Sequence, residues 1–375
     1  MGISLVDKTD NKCMFVNKGA EMTFGERLRA ARAMAGLSQE ELSARMGGKV
    51  TKQAISKYEK GLMMPEASTT LTALSDALAV PVDYLFRTVS REPLELYYRK
   101  RARVGAKAKN ALIEKVRDRL ERYQELEELL GAHSRFEIPS GKLDLNTPDG
   151  AQASARAVRQ SWGVGSEQPV PSVTRLCEDK GLRLVGLERV PGFDGMAGNY
   201  AGSPFVAIAS DLPNDRIRFT LLHELTNVLG WRKNQERLGH NEKACHAFAS
   251  EFLLPEGVLR RELSERVRHS IAIPELLQLK EKFGISMQAI LFRANAAGIL
   301  TDSGYRAILR EFGARGWRKD EPGSLPGTER PLRFERLLFR AIAEDAISMS
   351  KAASLSLVSL DELRRRLRGD DAARD

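Results

Sequence analysis

Between Thr23 and Phe86 the chain is cut into short helical stretches by its own capping residues, and this punctuation constrains the fold more than any other feature. Thr23 with Glu26, and Ser38 with Glu41, have the spacing of capping boxes. In that motif the hydroxyl accepts from the N3 backbone N–H and the N3 carboxylate accepts from the cap N–H. Leu28 and Ala31 give the first stretch an apolar face that ends at Gly36, and Leu42 and Met46 face inward on the second, before a Gly47-Gly48 break. Thr51 caps a third stretch with Ile55 and Tyr58 inward, and Gly61 stops it. A fourth covers 68–79 with Leu71, Leu74 and Leu78, and Pro81 opens a short fifth ending near Phe86. Residues 23–87 are therefore expected to form an all-α, five-helix domain behind a flexible tail over 1–22.

A chain of 375 residues has room for two or three such cores. Its net charge of +9 suits an anionic partner, with nucleic acid the first candidate. Cys13, Cys177 and Cys245 are few, odd in number and widely spaced, which excludes a disulfide framework. The N-terminus lacks an apolar signal region and no run of about 18 apolar residues occurs, so the expected setting is cytoplasmic, with no membrane contact.

Residues 88–131 read as a basic linker and a long helix. Arg99, Lys100, Arg101, Arg103, Lys107 and Lys109 come first, followed by Ile113, Val116, Leu120, Tyr123, Leu126 and Leu130 at spacings of three and four. Under three heptads of this pattern favour a packed connector over a coiled-coil seam. Gly, Pro, Ser, Asn and Asp make 131–150 a linker by composition. Over 150–300, a helical stretch at 151–163 precedes strand-like runs at Leu182–Leu187 and Phe205–Ile208, with the turn-rich Val190–Ser203 between them. Helical patterns at 216–230, 241–254 and 274–298 complete an α+β domain. Residues 301–375 read as a helical C-terminal segment. It contains a Pro/Gly-rich loop at 313–331 and, over 347–367, a small two-helix unit whose Ser359–Glu362 box precedes the basic run Arg364–Arg368.

The stretches LSQEELSARMG, TKQAISKYEKG and PVDYLF within 23–87 resemble the lambda-repressor/Cro type of helix-turn-helix domain. With Ile55 and Tyr58 turned to the core, Thr51, Lys52, Gln53, Ser56 and Lys57 are the candidate DNA-reading residues. Lysine can donate to guanine O6 and N7, and glutamine can pair with adenine N6 and N7. The resemblance implies that Gln39 contacts a phosphate and braces the recognition helix. It also implies an operator on double-stranded DNA bound by a homodimer. The turn MGGKVTKQ is about one residue longer than in the tightest members of that type.

His223-Glu224-Leu225-Thr226-Asn227 has the form of H-E-x-x-H with its last histidine replaced. In that motif two histidines on one helix face bind zinc and the glutamate polarises the metal-bound water. FDGM (193–196), PFVAI (204–208), DRIRFTLLHEL (215–225) and EKACHAFASEFLLP (242–255), with a weaker GWRKDEP (316–322), resemble the ImmA/IrrE family of metallopeptidase-like domains. That resemblance implies a zincin-like fold. It makes His223 the first Zn2+ ligand, Glu224 the catalytic base and Glu242 the third ligand. Asn227 then stands at the second-histidine position and His246 where the family has asparagine. Two arrangements are open: His246 reaches the metal from one turn below Glu242, or the site has lost zinc and its polar groups bond one another. The second demands less. His240 is a further candidate ligand.

The fold class expected is thus multidomain: an all-α helix-turn-helix domain, an α+β zincin-like domain and a helical C-terminal segment. The expected function is sequence-specific transcription regulation, with a degenerate peptidase-like domain as sensor or binding module for a protein or peptide at its cleft. The alternative is an active zinc metallopeptidase that cleaves a repressor or acts in a toxin–antitoxin or phage system. Asn227 leaves catalysis open.

Overall fold

The computed structural model describes residues 21–87, 92–97, 105–133, 135–234, 241–318 and 320–369. The capping residues do what their spacing predicts. Helix α1 (Phe24–Met34) and helix α2 (Gln39–Arg45) both start with reciprocal capping boxes, and Thr51 accepts from the Ala54 N–H to open α3 (Lys52–Glu59). The long turn between α2 and α3 closes through Gly47 and Gly48, both at positive φ, so the third helix begins at Lys52. Helices α4 (Ser68–Leu78) and α5 (Val82–Phe86) complete the N-terminal unit, with Leu28, Leu42, Ile55, Leu74 and Leu85 fully buried in one core. At Gly25 an added Cβ would lie 2.4 Å from the Tyr58 carbonyl oxygen, so α1 and α3 approach more closely than any other residue permits.

Strand β1 (Leu94–Tyr97) lies in the stretch read as basic linker, and α6 (Ala106–Leu129) follows it. Arg99, Lys100, Arg101 and Arg103 fall outside the described residues, as do the tail over 1–20 and His240. The apolar stripe of α6 is used within the chain. Leu112, Ile113, Val116 and Leu120 enter the central core, and Tyr123 and Leu126 enter a smaller C-terminal one. Residues 131–150, linker-like in composition, also pack, with Phe136 and Leu145 in the central core.

The central region runs through α7 (Pro148–Ser161), α8 (Val173–Asp179), β2 (Arg183–Leu187), β3 (Gly195–Tyr200) and β4 (Ser203–Ala209). The described strands form one sheet in the order β1-β3-β4-β2, with β2 and β4 parallel and the other pairs antiparallel. The sequence reading placed β3 in a turn-rich stretch. Its glycines belong to the sheet because β1 comes so near that a Cβ at Gly198 would sit 2.3 Å from the Glu95 carbonyl oxygen. Ala201 and Gly202, both at positive φ, make the two-residue hairpin to β4.

Helices α9 (Asn214–Asn234) and α10 (Glu242–Leu253) pack beside the sheet and α7, followed by α11 (Glu256–Leu263). The helical pattern at 274–298 is two helices, α12 (Ile273–Phe283) and α13 (Met287–Ala296). Gly284 at φ +61 ends the first and the Ser286 hydroxyl caps the second. Helix α14 (Asp302–Ala314) sends Ile308 and Phe312 into the central core, so this part of the expected C-terminal segment belongs to the middle of the protein. The Pro/Gly-rich loop is pinned by buried carboxylates. Glu321 accepts from the Met287 and Gln288 N–H groups, and Glu329 accepts from Arg218, Thr174 and the Val173 N–H. Helices α15 (Arg333–Ala343), α16 (Met349–Ser356) and α17 (Leu360–Arg368) close the third core around Tyr123 and Leu126.

Buried charge joins these parts along α6. Arg27 of α1 donates to Glu121 at 2.7 Å, both side chains 1% exposed. Glu127, fully buried, accepts from Arg183 of β2 at 2.6 Å and from Arg333 of α15. Removing one member of such a group leaves its partner charged and dry. Glu127→Ala is therefore expected to lower stability by about 3–5 kcal/mol, read as a shift of the denaturant midpoint. A shift under about 1 kcal/mol would mean that water reaches Arg183 and Arg333 and that the carboxylate does not join the parts.

Candidate nucleic-acid interface and metal centre

The core side of α3 is set by Ile55, Tyr58 and Glu59, all buried, which leaves Thr51, Lys52, Gln53 and Lys57 exposed and Ser56 half-buried. Of the two roles expected for Gln39, the bracing one is visible: its amide nitrogen donates to Glu59 Oε2 at 2.8 Å. Arg32 donates to the same carboxylate at 2.6 and 3.0 Å, so α1, α2 and α3 are tied at one point. Lys52 pairs with Glu40 at 2.9 Å, with side chains 54% and 75% exposed. An exposed pair of this kind is worth about 0–1 kcal/mol, little enough for a phosphate or a base edge to displace.

Sequence reasoning did not find Glu40, or the contact between Lys107 of α6 and Glu41 of α2 at 2.7 Å. Its signal, a basic helix start and an acidic cap far apart in sequence, is visible only once the two helices are packed. Lys107 and the Ser38 backbone N–H hold the Glu41 carboxyl down at about 2. The arginines of α17 are largely answered within the helix: Arg364 by Asp361, and Arg365 and Arg366 by Glu362.

The second candidate site lies between α9 and α10. Arg218, 1% exposed and bonded to Glu329 at 2.7 Å, anchors α9, and one and a half turns later His223 and Glu224 point inward, each 3% exposed. Strand β3 lies close alongside, since a Cβ at Gly195 would stand 2.7 Å from Thr220 and 3.4 Å from the Glu224 side chain. Asn241 caps α10, accepting from the Lys243 and Ala244 N–H groups, and thereby orients Glu242 in the first turn. His246 follows one turn on.

Glu242 Oε2 lies 4.0 Å from His223 Nε2 and 3.7 Å from His246 Nε2, and one donor atom from each residue falls within a mutual 4.8 Å. The imidazole rings are 5.4 Å apart at 64°, and Phe219 stands edge-on to His246 at 5.4 Å. Asn227 is turned elsewhere. Its amide nitrogen donates to Glu224 Oε2 at 3.0 Å, and its oxygen faces the Cys245 thiol at 3.9 Å.

Of the residues singled out from sequence, the fold therefore gathers His223, Glu242 and His246, and sets Glu224 with Asn227 beside them. Two imidazoles and one carboxylate form a zinc-type donor set. Donors around a tetrahedral zinc ion stand about 3.3–3.5 Å apart at zinc–ligand lengths near 2.1 Å, somewhat less than the two Glu242 separations here. The residues fit the group.

Residues 28–85 match the family model for the helix-turn-helix, and residues 177–295 match that of the IrrE N-terminal-like domain, a peptidase family. Searches among curated proteins and among solved structures returned no match. No described helix is long and apolar enough to cross a membrane. The chain thus joins a helix-turn-helix domain of the XRE type to a peptidase-type IrrE/ImmA-like domain and continues into C-terminal helices.

Proposed function

We propose that this protein is a sequence-specific DNA-binding regulator, acting in the cytoplasm as a homodimer on an operator, with its peptidase-like domain as the sensor or partner-binding part. The observation that carries this reading is the helix-turn-helix match over residues 28–85 together with the open outer face of α3. Thr51, Lys52, Gln53 and Lys57 stand exposed on a helix braced from behind through Glu59. A dimer would place two such helices about one turn of DNA apart, near 34 Å. Among the described residues, α6 meets this domain through Arg27–Glu121, Arg87–Glu125 and Lys107–Glu41, none of which uses an exposed residue of α3. The central domain's cleft, beside His223, Glu224 and Glu242, would take a peptide or protein segment, with Zn2+ as its cofactor.

A second reading, hydrolysis of a partner repressor, has one observation in its favour. Glu224 follows His223 directly, and both are buried beside Glu242 and His246, where a base would be needed next to an ion.

Selection of bound duplexes from random oligonucleotides is expected to enrich one half-site sequence. Against that duplex, Lys52→Ala and Gln53→Ala should each weaken binding by about 5- to 150-fold in fluorescence anisotropy, with a smaller loss on unselected DNA. Selection without enrichment removes the regulator reading.

Glu224→Gln, which keeps the size of the side chain and its bond from Asn227, is expected to leave DNA affinity unchanged. Digestion assays on candidate partner proteins should show no difference between that variant and the wild type. Cleavage by the wild type alone would instead establish the second reading.

A further inference from the structure

We propose that His223, Glu242 and His246 form a zinc-class cation site in which the second nitrogen donor comes from α10 instead of α9, and that Asn227 positions Glu224 and is not a ligand. This rests on the central domain being of the peptidase kind and not on DNA binding. The H-E-x-x-H arrangement draws two nitrogens from one helix and the carboxylate from elsewhere. Here α9 keeps one nitrogen, and α10 contributes a carboxylate and a nitrogen at i and i+4, which lie on one helix face.

Three observations favour the exchange. The first is distance. The Glu242 oxygen lies 4.0 and 3.7 Å from the two ring nitrogens, longer than a hydrogen bond to either and close to the separation of two ligands on one ion. The second is commitment of Asn227, whose amide nitrogen is given to Glu224 and whose oxygen faces Cys245, so neither end is turned to the cluster. The third is placement. His246 is 54% exposed, yet its ring stands 5.4 Å from both Phe219 and the buried His223. Three protein donors leave a tetrahedral ion one position for water or a ligand group, and the exposed side of His246 is where it would be reached.

The test uses the full chain, stripped by a chelator and then titrated with Zn2+ against a chromophoric competitor, with Co2+ absorption as a second readout. The wild type is expected to take up one equivalent and to give a tetrahedral Co2+ spectrum. His246→Ala should weaken uptake by more than about 100-fold, beyond what loss of an outer partner causes, while Asn227→Ala keeps the stoichiometry and shifts affinity by less than about tenfold. Thermal melts in chelator establish that each variant is folded, and the exposure of His246 makes its replacement mild.

The proposal is overturned if the wild type binds neither ion. It is equally overturned if His246→Ala binds as tightly as the wild type, or if Asn227→Ala loses as much as His246→Ala. Duplex affinity measured on the same preparations separates this result from the regulator reading: zinc uptake without duplex preference removes the regulator and leaves the site, and the converse does the reverse.

Discussion

A carboxylate with no exposed surface is tolerable only where cations meet it, and Glu127 meets two, Arg183 of the sheet and Arg333 of the C-terminal helices. Six residues earlier on α6, Glu121 meets Arg27 of the DNA-binding domain. Such pairs add little net stability, because the loss of hydration roughly offsets the attraction. What they supply is a penalty for every other arrangement, since any shift of α1, β2 or α15 along α6 strands a charge in a dry interior. The apolar stripe of α6 says only that something packs on it. The buried carboxylates say what, and at which turn.

The helix-turn-helix domain is held from behind, through Arg27 and Arg87, while contacts nearer its DNA-facing side are exposed pairs such as Lys107–Glu41 and Lys52–Glu40. On the proposed reading DNA would compete only with exposed pairs such as Lys52–Glu40, which are weak. Strand β1, the first described element after α5, then pairs with β3, which packs on α9 beside Glu224.

The N-terminal helices were legible because their signals are local. A hydroxyl and a carboxylate three residues apart fix a helix start whatever surrounds it, as Thr23 and Ser38 do here. Strands β1 and β3 were not legible, because their residues are chosen by a neighbour's approach. Gly195 and Gly198 look like turn formers until β1 and α9 are beside them. The 131–150 stretch was read as a linker for the same reason, since Phe136 and Leu145 are single apolar residues whose burial no periodicity announces. Gly284 divided one expected helix, a break that periodicity across it concealed. In the central site the identities were readable from H-E-x-x-N and from Glu242 and His246. The commitment of Asn227 to Glu224 was not, because rotamer choice depends on the packing of α10 against α9.

Exchanging a histidine and an asparagine between two helices changes two things together. It moves a nitrogen donor to the mouth of the cleft, and it gives the would-be base a standing partner. Glu224 is 3% exposed and accepts from the Asn227 amide nitrogen at 3.0 Å. Imidazole at 227 would be drawn toward an ion and would release that bond. In the proposed site α10 would share in holding the ion while Asn227 of α9 stays bonded to Glu224, whereas H-E-x-x-H draws both nitrogens from one helix. Such a site would suit the sensing or partner-binding role proposed for the central domain.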